Sequence, residues 1–301
     1  MMNDKSKERD ISNTSTWEEL LEKTVNSLSL LYPESARIEG QWITLSASGY
    51  DRAEFLKNKD TIASNLAAKN LKRILDRRLE GEPIQYALGS WSFRKLELIV
   101  DKRVLIPRPE TEVLVEVALL ILSQNPKTHT KIICDLGTGS GAIGLSIAQE
   151  CDDVEVTLVD RSMDALKVAS ANLAGLGNHA VKARILQSSW FKNFSESMRN
   201  SFDLIVSNPP YIARGEDLPP SVLNFEPQEA LFAGEKGTEH IESIMASAPQ
   251  WLVTGGALAI EMAPHQTIEM SETAKSEGYS NIKIHKDLAG KPRIVSCVWE
   301  E

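Results

Sequence analysis

The chain has 301 residues, 42% hydrophobic and 25% charged, the balance of a folded globular protein with room for two domains at roughly 100–200 residues each. Its 33 basic and 42 acidic side chains leave a net charge of −9, which excludes a protein that wraps nucleic acid through a general basic field. The charge is also uneven, since residues 1–85 carry 13 basic and 14 acidic side chains and the remainder 20 and 28.

Residues 1–16 are polar and mixed in charge. They read as a flexible N-terminus without the apolar stretch of a secretory signal. Trp17, Leu20, Leu21, Val25, Leu28 and Leu31 then recur at spacings of three and four behind the cap candidates Ser15 and Thr16, which predicts a helix. Asp60, Ile62, Leu66, Leu71, Ile74 and Leu75 predict a second, closed by Gly81-Glu82-Pro83. Residues 17–85 therefore read as a small helical bundle with no chemistry of its own.

From Trp91 to Ile106 apolar and polar residues alternate around Phe93, Leu96, Leu98 and Val100, the pattern of a β-hairpin. Residues 86–108 form this linker, and after Pro107 and Pro109 a helix begins near Thr111. The run Val113–Leu122 is interrupted by Glu116 and is far too short for a membrane span. Strands are predicted at Lys131–Leu136, Val154–Asp160, Arg184–Ser188, Phe202–Ser207, Ala257–Met262, Asn281–His285 and Arg293–Trp299. Helical stretches lie between most of them, so residues 109–301 read as a doubly wound α/β sheet. Only Lys286–Pro292 separates the last two strands, too little for a parallel crossover, so these should pair antiparallel.

Three cysteines, Cys134, Cys151 and Cys297, show no C-x-x-C spacing. They read as small apolar filler rather than redox or metal groups. The histidines at 129, 179, 240, 265 and 285 are scattered, and each reads as a surface or loop residue. No metal site is expected.

The first chemical signal follows strand Ile132-Ile133-Cys134, in Asp135-Leu136-Gly137-Thr138-Gly139-Ser140-Gly141. A glycine-rich strand-to-helix turn brings backbone N–H groups up to a ligand. Gly139-x-Gly141-x-x-Gly144 with Asp160 beyond it also spells the dinucleotide fingerprint. That fingerprint usually starts directly after the strand, whereas here Asp135 and Gly137 come earlier. Asp135 supplies a carboxylate for an ammonium group, which a methyl donor with an amino-acid tail carries and a pyrophosphate does not. Asp160, ending the second strand, can accept from ribose hydroxyls. The loop reads as a site for S-adenosylmethionine in preference to NAD.

The second signal is Asn208-Pro209-Pro210-Tyr211 after strand Phe202–Ser207, at the sheet edge where ligands of open α/β sheets bind. The two prolines stiffen the backbone and leave carbonyls without neighbouring N–H donors. An amide or aniline-like nitrogen is a poor nucleophile because its lone pair is delocalised. If its N–H groups donate to the Asn208 side-chain oxygen and the Pro209 carbonyl, its remaining face is held toward the methyl group. The same acceptors stabilise charge that builds on it. Tyr211 can lie flat against the planar group and offers a π face to the sulfonium. No strong base is required, since the proton can leave after transfer. The motif reads as amino- or amide-methyl transfer and leaves adenine, guanine and glutamine open as acceptors.

Beyond these motifs the sequence resembles the bacterial peptide-chain release factor glutamine methyltransferases. The resemblance is carried by Gly81-Glu82-Pro83-Ile84-Gln85-Tyr86, Leu105-Ile106-Pro107-Arg108-Pro109-Glu110-Thr111-Glu112, Glu226-Pro227-x-x-Ala230-Leu231-x-Ala233-Gly234 and Asp287-Leu288-Ala289-Gly290-Lys291-Pro292-Arg293. It implies a seven-stranded, Rossmann-like class I methyltransferase domain at 109–301, a hairpin linker, and a helical substrate-recognition domain at 17–85. The implied activity is methylation of the side-chain amide nitrogen of the Gly-Gly-Gln glutamine in class I release factors. By position, Asp135, Gly137, Thr138, Gly139, Ser140, Gly141, Asp160, Trp190 and Asn208 would bind S-adenosylmethionine, with Trp190 on the adenine side. Asn208, Pro209, Pro210 and Tyr211 would hold the glutamine, with Asn208, Pro209 and Tyr211 catalytic.

Two stretches depart from the family pattern. Ser189 stands where many members have Asp, and Glu261-Met262-Ala263-Pro264-His265-Gln266 replaces the usual Glu-Ile-Gly. The main alternative, a DNA adenine methyltransferase, would need a basic cleft and a target-recognition insertion, and the acidic C-terminal part offers neither. A cytoplasmic enzyme with a protein substrate is expected, with no direct nucleic-acid or membrane contact.

Overall fold

The computed structural model describes residues 15–124 and 130–300, in two compact units that divide between Leu88 and Gly89. The expected flexible stretch up to Asn13 and Thr14, and His129, lie outside the described residues.

The first unit contains α1 (Trp17–Ser29), α2 (Ala36–Ser48), α3 (Arg52–Asn58), α4 (Asn65–Leu79) and α5 (Ile84–Leu88). Thr16 and Glu19 close a capping box on α1, and Asp51 with Glu54 repeats it on α3. These caps satisfy N–H groups that a helix start leaves open. Trp17, Leu20, Leu21, Leu28, Ile43, Phe55, Leu71 and Ile74 share one core.

Two helices were legible here, and three more were not. Part of what α2 buries is polar, which hides its stripe. Thr44 donates back to Gly40 O at 2.7 Å, and the buried Glu39 carboxylate takes Arg78 Nε at 2.6 Å and Nη2 at 3.0 Å. Arg78 also lies 3.5 Å from the Tyr32 ring centre. The second predicted helix starts later than expected because Ser64 caps α4 by accepting from Ala67 N. Ile62 therefore falls outside it, and both Ile62 and Leu66 are exposed, as is Leu31 beyond α1.

The second unit opens with the predicted hairpin, β1 (Ser90–Phe93) and β2 (Leu96–Ile99). It stands within this unit and is pinned there. At its turn Arg94 takes a positive φ, donates its N–H to Glu112 of α6 (Thr111–Gln124) and binds Glu150 of α7 (Ala142–Glu150) at 2.7 Å. Asn172 of α8 (Met163–Gly175) accepts from Ile99 N and donates to Ile99 O and Ser140 O.

The main sheet is built from β3 (Lys131–Leu136), β4 (Val154–Asp160), β5 (Ala183–Gln187), β6 (Phe202–Ser207), β9 (Leu252–Glu261), β10 (Ser280–Lys286) and β11 (Pro292–Val298), and its spatial order is β10-β11-β9-β6-β3-β4-β5. The seven predicted strands are these seven. All run parallel except β11, which pairs antiparallel to β10 and β9 as the short final connection required. β6 is buried along its whole length, as a strand covered on both faces must be. Cys134 and Cys297 are buried in β3 and β11. A small parallel pair, β7 (Ile212–Ala213) with β8 (Phe232–Gly234), follows the Asn-Pro-Pro-Tyr segment. The remaining helices are α9 (Pro220–Phe225), α10 (Glu239–Ser247) and α11 (Thr267–Ser276).

Strand order reverses between β3 and β6, and open α/β sheets bind ligands at such a switch point. Register completes the placement. Leu136, the last residue of β3, pairs with Ser207, the last of β6, and Ser207 pairs in turn with Ile260 of β9. The glycine loop, Asn208 and Glu261 therefore leave adjacent strands at one level.

Candidate active site

The glycine loop is shaped from beneath. Asp135 is fully buried, and its Oδ2 accepts from Thr138 Oγ1 at 2.6 Å and Gly144 N at 2.9 Å. A Cβ on Gly144 would run into Leu158 and reach Asp135 Oδ2 at 3.0 Å. The glycine that completed the dinucleotide fingerprint is thus a packing residue, where α7 crosses the sheet closely. Gly137 and Gly139 take φ of 70° and 55°, a region that costs side-chain-bearing residues roughly 1–2 kcal/mol. The turn aims Gly139 N at Asp160 Oδ2, 3.0 Å away, while Asp160 Oδ1 accepts from Ser162 N.

Above the loop lies an open cleft. Gly137, Gly139, Asp160, Trp190, Asn208 and Pro210 line it. Trp190 holds a φ of 49° and sets its ring against Gly137, where a Cβ would come within 3.5 Å. Each Asp160 oxygen spends one lone pair on backbone and keeps another for a hydroxyl. Burial raises its carboxyl above the ordinary value. The donor set of loop amides, a diol-accepting carboxylate and an aromatic wall fits S-adenosylmethionine.

Not every expected cofactor residue reaches the cleft wall. Thr138, Ser140 and Gly141 sit inside the loop, and Asp135 lies beneath it. Asp135 holds Thr138 and Gly144 through Oδ2. Its Oδ1 has no protein partner among the described residues, and burial pushes the carboxyl up to about 6.

A second, smaller cavity adjoins the first. It is lined by Leu105, Arg108, Asn208, Pro209, Tyr211 and Val222, among others, so that Asn208 is common to both. Burial pushes the Tyr211 phenol up to about 12, with Glu261 adding to the effect, so it stays neutral as an aromatic wall. Asn208 Nδ2 donates to Thr111 Oγ1 at 3.1 Å. Thr111 in turn faces the buried carboxyl of Glu261, which burial raises to about 7 although the Thr111 hydroxyl pulls it down.

Several residues here escaped a functional reading of the sequence. Glu226 is buried and accepts from Ile106 N and Arg108 Nη2, at 3.1 and 2.6 Å, which ties the segment before α6 to the chain after α9. Gln266 accepts from Ala263 N and donates to Tyr211 O, both at 3.0 Å. The departure at Pro264 therefore ends in a turn that grips the Asn-Pro-Pro-Tyr backbone. His240, expected on the surface, lines the cleft with its ring 5.3 Å from that of Trp190. Ser189, the other departure, is also on the cleft wall. Distant pairings produce these roles; the quoted segments around Arg108, Glu226, Ser189 and Glu261–Gln266 drew attention to their residues without assigning these duties, and His240 carried no motif at all.

Comparison with known proteins places these features. A family model described as the PrmC N-terminal domain matches residues 19–89, and one described as the methyltransferase small domain matches 114–224. The chain is 37% identical over 283 residues to a release factor glutamine methyltransferase of Aliivibrio fischeri, covering 94% of this chain and 97% of that protein. It is 35% identical to the corresponding protein of Rhodopirellula baltica, covering 95% and 98%. Among solved structures, the hMettl16 catalytic domain in complex with a MAT2A 3'UTR hairpin superposes with a TM-score of 0.54 at 14% identity, covering 86% of this chain and 92% of that one. That likeness speaks to the fold alone.

Proposed function

The chain belongs to the release factor glutamine methyltransferases, and we propose that its two adjoining cavities divide the reaction between donor and acceptor, with a class I release factor as the protein substrate. S-adenosylmethionine supplies the electrophilic methyl group when bound. The observation that carries this reading is the position of Asn208 on the wall of both cavities.

Gly137, Gly139, Asp160 and Trp190 bind the donor in the larger cleft. The glutamine side chain enters the smaller one, where the Asn208 side-chain oxygen and the Pro209 carbonyl accept its two amide N–H groups. Held so, the nitrogen presents its free face across Asn208 to the donor cleft. As positive charge grows on it, those same acceptors stabilise it, and because they are already oriented no reorganisation is needed. Tyr211 packs along the amide plane and, staying neutral, takes no proton. As the N–CH₃ bond forms the methyl–sulfur bond breaks, the sulfur leaves as a neutral thioether, and the surplus amide proton passes to solvent after transfer.

The first unit is read as the substrate-recognition domain, in keeping with the family model matched there. The excess of acidic side chains after residue 85 favours a protein over a nucleic acid. Among the described residues no helix is long and apolar enough to cross a membrane, and a cytoplasmic location follows from a translation-factor substrate.

The test is labelled donor offered in parallel to an unmethylated release factor and to unmethylated DNA. Label in the release factor, lost on changing its Gly-Gly-Gln glutamine, is the expected result; label in DNA alone overturns the reading. Asn208→Ala should slow release-factor methylation by roughly 10²–10³-fold, the cost of losing one preorganised group, while donor binding measured by calorimetry changes little.

A further inference from the structure

Asn208 is effective only if its amide faces one way. An asparagine side chain is nearly symmetric in shape, and turned over it would offer the substrate amide two donors instead of an acceptor. Something must fix which end faces the cavity.

The groups behind Asn208 do so by counting protons. Glu261 ends β9 and is 1% exposed; Thr111 begins α6 and is 4% exposed. An ionised carboxylate only accepts, and a threonine hydroxyl has a single proton to give. Thr111 faces the Glu261 carboxylate, whose ionised form its hydroxyl favours and whose Oε2 has no other partner among the described residues; with its one proton turned there, it has lone pairs alone toward Asn208. Asn208 must therefore turn its NH₂ inward, as its 3.1 Å Nδ2–Oγ1 contact records. The reverse orientation would oppose two oxygens with no proton between them. Asn208 Oδ1 is left for the cavities on whose walls the residue lies.

We propose that Glu261 and Thr111 are positioning residues that lock the Asn208 amide with its oxygen toward the substrate. The inference rests on the reading of Asn208 as the acceptor for the glutamine amide, and gives a task to two buried polar groups that touch neither cavity. Strand register keeps the chain of contacts short, since Ile260 pairs with Ser207. The charged and titratable groups around Glu261 are Arg293 of β11, Arg108 and Glu110 before α6, and Tyr211 after β6. Burial outweighs the two arginines and raises the Glu261 carboxyl to about 7, so the ionised form that the lock requires prevails above that pH.

The test is a double-mutant cycle on the full chain at about pH 8.5, with release factor and S-adenosylmethionine as substrates. Thr111→Val keeps the side chain's shape and removes its hydroxyl. It should lower kcat by roughly 10- to 100-fold, the scale of a misplaced reacting group, with donor affinity unchanged. Thr111→Ser retains the hydroxyl and should return kcat to within about threefold of wild type, a rescue that also excludes loss of fold. In the Asn208→Ala background Thr111→Val should cost less than about twofold, because residues acting through one another are not additive. A full additional loss in that background, or wild-type kcat in Thr111→Val beside a crippled Asn208→Ala, overturns the lock. Wild-type kcat in Asn208→Ala itself would overturn the underlying reading instead.

Discussion

Replacing Asp135 with asparagine should flatten the pH dependence of stability and weaken donor binding. Burial pushes the Asp135 carboxyl up to about 6, against about 3.9 in an unfolded chain. Between those values the folded protein holds a proton that the unfolded chain has released. Stability contributed by this group is therefore greatest at low pH and is lost as pH rises through the window. Fully ionised, the residue costs about 3 kcal/mol, two pKa units at ~1.36 kcal/mol each.

Asparagine removes that penalty but sets an NH₂ where Oδ1 now stands, and an unmatched donor there costs about 1–3 kcal/mol. The net change at one pH is small, so the slope is the diagnostic quantity. From about pH 5 to about pH 7.5, wild type should lose about 1 kcal/mol relative to Asp135→Asn. Urea titrations read by hydrogen exchange of peptides spanning β3 would isolate the second unit. Donor affinity should fall roughly tenfold, because Thr138 and Gly144 exchange a charged acceptor for a neutral one. Parallel stability–pH curves for the two proteins would refute the reasoning, since they would mean that Asp135 does not titrate in this window.

Two further substitutions probe packing. Gly144→Ala places a Cβ against Leu158 and Asp135 and should cost about 1–3 kcal/mol of overpacking, read as a lower urea midpoint for the second unit. In the first unit, Glu39→Ala strands Arg78, whose side chain is 11% exposed, and should cost about 3–5 kcal/mol. Changing Glu39 and Arg78 together to apolar residues of similar volume should recover most of that loss, measured in the same titration.

The catalytic sheet was legible because its central strands are nearly continuous apolar runs separated by helical stretches. Phe202–Ser207 and Lys131–Leu136 occupy the residues predicted for them. The helical unit was less legible for the opposite reason. α2 buries Glu39, Gly40 and Thr44 along its inner face, and a stripe search weighted to leucine and isoleucine passes over such a helix. The apolar residues Ile62 and Leu66, exposed here, pulled the predicted start of α4 in the wrong direction.

The sequence by itself determined the chemistry. Asn-Pro-Pro-Tyr and the glycine loop are local motifs, and their residue types and spacing hold at short range whatever surrounds them. The −9 charge and its concentration after residue 85 likewise belong to composition alone. Only the tertiary structure decided which of these residues face a ligand and which hold the others in place. Asp135 turned inward because β3 is covered on both sides, and His240 reached the cleft because α10 packs beside Trp190. Thr111 and Glu261 lie 97 and 53 positions from Asn208 along the chain and become its neighbours through the register of β6 and β9 and the placement of α6. Hydrogen bonds of that span depend on which strands the sheet makes adjacent, and no local pattern records that choice.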